Sequence, residues 1–174
     1  MLKMPWNSFF AICCFNKAPQ DIPASREVWL STVVAYILGS FLLTLISQDA
    51  AVSILSALID TALLSLLTTT TLGLMGLSSR SLQTTTALFG TGFLFTLVAI
   101  PLSMLMSSLP ETSVIVFPLF LFVISLLLWN IGVMAHILRH ALSSSMFAGV
   151  LLAFLFVFVT TMIVTSLFPS TAIQ

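Results

Sequence analysis

Charge is what this chain has least of: five Lys or Arg and five Asp or Glu, 6% of its 174 residues. A soluble domain carries roughly 25% charged residues. So few cannot cover the chain with a water-compatible surface, and a soluble fold is excluded. The five acids, Asp21, Glu27, Asp49, Asp60 and Glu111, are widely spread. They give no acid–base pair, no activated nucleophile and no metal set, so neither catalysis nor a cofactor is expected. A net charge of zero with no basic run gives nucleic acid nothing to bind.

Apolar residues supply what is missing, at 59% of the chain and a mean hydropathy of +1.21. A membrane-spanning helix needs about 20 apolar residues, and five stretches qualify: about 29–47, 51–77, 85–106, 114–138 and 146–168. The expected fold is all-α and polytopic. A cytoplasmic segment (1–28) precedes a five-helix transmembrane bundle (29–168) and a short tail (169–174). Residues 29–77 are too long for one crossing, and "SQD" at 47–49 is their only polar cluster, so a tight turn belongs there with Asp49 as N-cap. Ser25 can cap the first span. Pro118 is expected at the first position of the fourth helix.

"FFAICCF" is too short for a cleaved signal, and no small-residue cleavage pattern follows it. Trp6, Phe9, Phe10 and Cys13 recur at helical spacing instead, which predicts an amphipathic helix lying in the headgroup region. An unstructured tail with a few apolar residues is the plainer alternative.

Five spans put Lys3, Lys17, Arg26, Arg80 and Arg139 on one side, and the opposite loops carry no cation. The positive-inside rule then predicts a cytoplasmic N-terminus and an external C-terminus. Cys13 and Cys14 would be cytoplasmic, where a structural disulfide is not expected. S-acylation and plain apolar packing both fit them.

Asp60 stands inside the second span, about 8 Å below the outer boundary of the hydrocarbon. A charge at mid-helix costs roughly 2.5–3.5 kcal/mol on insertion scales, so this residue is expected to face the bundle interior. Ser40, Thr44, Thr96, Ser103 and the Leu97 carbonyl, which Pro101 deprives of its donor, are the partners at its depth. The reading is a neutral Asp60 donating to one of them as an interhelical lock. The competing reading is a proton-coupling carboxylate, which wants further polar groups along a path, and none is legible. Asn130 is placed too far from Asp60 to share a site with it.

Ser53, Ala57, Thr61, Ser65, Thr69 and Gly73 recur every four residues on the second span, and Ser31, Ala35 and Gly39 on the first. Small residues at this spacing predict close helix packing. Gly90 and Gly92 of "FGTGF" lack the context of a phosphate loop and are expected to be packing points. Phe147, Phe154, Phe156 and Phe158 on the fifth span suggest a lipid-facing or docking surface. "HILRH" sets His136 and His140 one turn apart beside Arg139. With no third ligand they predict a contact to lipid headgroups or a partner rather than a metal site.

"KAPQDIPAS" at 17–25, "QTTTALFGTGFLFTLVAIPL" at 83–102 and "WNIGVMAHILRHAL" at 129–142 together resemble the bacterial branch of the Yip (Ypt-interacting protein) family. The resemblance implies five spans, a cytoplasmic N-terminus and no catalysis. The tyrosine-glycine-proline motif of eukaryotic relatives, associated with small GTPases, is absent. The expected role is a non-enzymatic accessory or scaffolding subunit in a bacterial inner membrane, bound to another membrane protein or to itself. The alternative is a small oligomeric transporter or channel that uses Asp60.

Overall fold

The computed structural model describes residues 5–110 and 112–168, whose regular structure is entirely helical, with no strand among them. Six α-helices follow in order: α1 (Trp6–Cys13), α2 (Arg26–Thr44), α3 (Ala50–Leu74), α4 (Ser81–Ser108), α5 (Val116–Ala141) and α6 (Met146–Leu167). Short 3-10 turns at Pro19–Asp21 and Ser78–Arg80 lead into α2 and α4. The last five helices are long and apolar enough to cross a membrane. Lys3, Glu111 and the 169–174 tail lie outside the described residues.

Boundaries moved for local reasons. The α2–α3 turn falls where "SQD" predicts it, and Ser25 and Asp49 hold the N-cap positions, but neither side chain bonds a backbone N–H. Ser145 does, accepting from the Ala148 N–H at 3.3 Å. The loop expected over 78–84 is shorter, because α4 begins at Ser81 and absorbs its last four residues. Thr84, Thr85 and Thr86 each donate to the carbonyl four residues back, at 2.6–2.8 Å, which satisfies the hydroxyl without leaving the helix. Pro118 sits third in α5 rather than first, still within the turn whose N–H groups have no intrahelical partner.

Two helix ends show why the chain turns back. After α3, Gly76 takes the left-handed φ of 72°. Its N–H bonds the Gly73 carbonyl and that of Leu77 the Leu72 carbonyl, while Leu77 packs back on Leu72. This is a Schellman stop. After α1 the same pattern forms with Phe15 at φ 61°. That conformation is strained for a bulky residue. The ring is held there by stacking on Trp129, at 6.5 Å, and on the edge of His136, at 5.3 Å.

The spanning helices close a ring: α2 packs on α4, α4 on α5, α5 on α6, α6 on α3, and α3 back on α2. Lys17, Arg26, Arg80 and Arg139 fall at one end of this ring, the basic end. The Leu45–Asp49 connection and Phe168 fall at the far end.

Several predicted faces shift. Four-residue spacing advances about 400° around a helix, so each step drifts about 40°. Ser53, Ala57 and Thr61 are therefore buried, whereas Thr69 and Gly73 have rotated outward and Leu64, Thr68 and Leu72 carry the inner face on. On α6, Phe147, Phe154 and Phe158 point outward as expected, but Phe156 lies seven residues after Gly149 on the inner face and is buried. The N-terminal helix is present yet does not offer one apolar face to lipid. Phe9 and Ile12 are fully buried in the bundle and Phe10 points away, since adjacent residues differ by about 100° in direction.

Candidate functional site

Asp60 lies three residues after Ala57 and four before Leu64, both buried, so the inner face of α3 carries the carboxylate into the ring. Its partner is Tyr36 of α2, whose hydroxyl donates to Asp60 Oδ2 at 2.7 Å. This corrects the expected lock. Asp60 accepts rather than donates, and the donor is none of Ser40, Thr44, Thr96 or Ser103. The depth count considered only groups whose backbone lies level with Asp60. A tyrosine reaches across levels, because its hydroxyl stands some way from its own Cα.

The ring of Tyr36 needs room, and α4 provides it. A Cβ on Gly92 would stand 2.6 Å from Tyr36 Cε2, so glycine lets the ring lie against the α4 backbone. Gly39 meets α4 in the same way, against Thr96. Gly90 and Gly92 are thus both points of close approach, Gly90 against Phe9 and Gly92 against Tyr36.

Empty space surrounds the Tyr36–Asp60 bond. An inner chamber of about 150 Å³ extends from it past Leu64, Leu88, Ile131, Met134 and Phe156. A wider chamber of about 420 Å³ extends past Ser40, Thr44, Ser56, Thr96 and Thr165. A third, of about 310 Å³, shares Thr44, Ser56 and Thr165 with it and reaches Ser47, Gln48 and Phe168 at the far end. Tyr36, Asp60, Gly92, Leu127, Asn130, Thr160 and Thr161 wall both of the first two chambers, so every spanning helix contributes to one continuous space.

This arrangement overturns two readings. Polar groups do continue a path from Asp60, toward the far end. They come from four different helices and have no common spacing in the sequence. Asn130 does share a site with Asp60: the two face one cavity without needing to touch, a case that counting contact distances between parallel rods leaves out. The threonines along the path donate to their own helices, as Thr44 does to the Ser40 carbonyl and Thr165 to the Thr161 carbonyl. Their oxygens keep the capacity to accept from an occupant.

The basic end is built differently. His136 is buried, and its Nε2 donates to the Lys17 carbonyl at 3.0 Å, so it anchors the N-terminal segment instead of touching headgroups. Trp129 Nε1 donates to the Cys13 carbonyl and Gln20 to the His140 carbonyl, both at 2.9 Å. Arg80 donates to the Ala141 carbonyl at 2.9 Å and to Ser143 Oγ at 2.8 Å, placing a cation at the negative end of α5. Arg139 donates to His140 Nε2 at 3.2 Å, and both residues are half-exposed there. Among the described residues no three His, Cys, Asp or Glu side chains gather as a metal site would need.

The two cysteines differ sharply. Burial, with Cys14 beside it, pushes the Cys13 thiol up to about 11, whereas Cys14 is exposed. The thiolate is the reactive form, and at pH 8 roughly one Cys13 in a thousand carries it. A maleimide at pH 8 should therefore modify Cys14 alone, with Cys13 following as the pH rises toward 11. Equal rates at pH 8, read by mass spectrometry, would contradict this placement.

No family model matches the chain, and neither does a curated protein or a solved structure.

Proposed function

We propose that this chain is a non-enzymatic multi-pass membrane protein that takes up a small solute in the cavity at Asp60, the small-transporter reading of the two its sequence suggests. One observation carries it: all five spanning helices place residues on a single space that holds Asp60, the one carboxylate beyond the first turn of any span, and runs, lined by hydroxyls, to the far end of the ring. A lock needs its two partners in contact and no room around them. Intramembrane carboxylates that face a cavity mark solute and ion pathways, and binding near mid-membrane between helices is the usual arrangement in transporters. The basic end would face the cytoplasm, in keeping with the positive-inside rule and the Yip-like resemblance. The cavity then opens away from it, in a bacterial inner membrane.

The accessory-subunit reading draws on α5, which has no buried residue from Val116 to Gly132. A helix apolar on all sides is satisfied by lipid alone, so this face does not require a protein partner. Co-purification with one fixed membrane protein in detergent would favour it.

Single cysteines at Ser56, Thr161 and Asn130, in a Cys13→Ser, Cys14→Ser background, test the cavity. A membrane-impermeant thiosulfonate applied to the non-cytoplasmic face should modify Ser56→Cys and Thr161→Cys readily and Asn130→Cys more slowly. Positions closed to the reagent from both faces would defeat the proposal.

A further inference from the structure

We infer that the occupant of this cavity is an organic monocation, a protonated amine with an apolar body. The inference rests on the solute-cavity reading above and names its ligand class. The charge balance comes first. The residues walling the two chambers that meet at Asp60 include one carboxylate and no Lys, Arg or His. An anion there would meet Asp60 with nothing to compensate either charge, which burial makes costly.

Next is the free valence of the carboxylate. Tyr36 engages Oδ2, and Oδ1 takes no hydrogen bond from the described residues. An ammonium donor fits that open oxygen, with the Asn130 amide facing the same space.

The shape of the space selects among cations. A bare metal ion wants several oxygens converging at contact distance. Here the hydroxyls are spread along two adjoining chambers, of which the wider, about 420 Å³, is of a size typical of organic ligands. The inner chamber beside Asp60 carries Leu64, Leu88, Ile131, Met134 and Phe156 on one part of its wall and Thr91, Asn130, Thr160 and Thr161 on another. The apolar part suits a hydrocarbon or aromatic body, against which the hydroxyls of a fully polar solute such as a sugar would go unpaired. A cationic head at Asp60 with an apolar body in the inner chamber satisfies both sets of walls.

Benzylammonium, benzyl alcohol and benzoate share one body and differ in charge, which makes them suitable probes. Titrated calorimetrically into the purified full-length chain in detergent, benzylammonium should bind saturably and the other two only partition into micelles. Asp60→Asn should weaken benzylammonium roughly a hundredfold or more, as loss of a buried charge partner does. Independently of that variant, benzylammonium should slow thiosulfonate modification of Thr161→Cys, and benzyl alcohol should not. Benzyl alcohol binding as tightly as benzylammonium, or unchanged binding in a folded Asp60→Asn, overturns the inference. If the cavity cysteines react and benzylammonium neither binds nor protects, the cation is wrong and the cavity reading stands. If they are unreactive from both faces, both fall.

Discussion

Replacing Gly149 by leucine should separate the last two helices. Gly149 is where α6 crosses α5: a Cβ at that position would stand 2.5 Å from the Ala135 carbonyl oxygen and 3.1 Å from Arg139 Cβ. The first obstacle is backbone, which no rotamer change can clear, so the helices must part. Inserting bulk into a packed interior costs about 1–3 kcal/mol where side chains can adjust, and this site belongs at or above the top of that range. In lipid the loss is not recovered elsewhere, because close packing rather than water exclusion holds spanning helices together. Buried Ala153 and Phe156 continue the same α6 face, and Phe156 walls the inner chamber. Unfolding by sodium dodecyl sulfate in mixed micelles should show a much earlier midpoint for Gly149→Leu, with Gly149→Ala between it and the parent. Parent-like unfolding of the leucine variant would mean that the helices do not meet there.

Truncating Phe9 to alanine should release α1 from the bundle. Phe9 is fully buried, and its ring occupies the place where a side chain at position 90 would stand, with ring carbons 2.5–2.7 Å from a Cβ built on Gly90. Removing a buried phenylalanine costs about 3–5 kcal/mol, from the burial lost and the cavity left behind. The other ties of α1 are buried Ile12, the Trp6 ring on Phe93 at 5.8 Å and one hydrogen bond from Trp129. Trypsin cleavage after Lys17 should accelerate strongly in Phe9→Ala while the five spanning helices stay folded. Because the two positions share one volume, Gly90→Leu added to Phe9→Ala should recover part of the loss, although Gly90→Leu alone is damaging. Strictly additive effects would show that ring and glycine are not in contact.

The spans were legible because their signal is the length of an apolar run, a local property. They sit within about four residues of expectation at every end, with the largest shift at the start of α4, where Thr84, which read as loop, satisfied its hydroxyl inside the helix. Asp60 was legible as an embedded acid. Its setting was not, since Tyr36, Gly92, Asn130 and Thr160 come from four other helices, and only the ring of contacts makes them neighbours. The glycine at 92 was legible as a packing point, but what it packs against was not. His136 read as an interfacial residue because its position near a helix end was visible in sequence, whereas the N-terminal segment folded over it was not.

The ties at the basic end also set a schedule for biogenesis. Trp129 meets the Cys13 carbonyl and Gln20 the His140 carbonyl, so each joins positions more than a hundred residues apart. At about 5–20 residues per second, the nascent N-terminal segment waits on the order of ten seconds on the ribosome before its partners exist. During that interval Phe9 and Ile12 have only their early neighbours and the surrounding lipid to shelter them. Slowing elongation between α4 and α5 would lengthen that exposure, making this the stage at which a quality-control protease gains its best access.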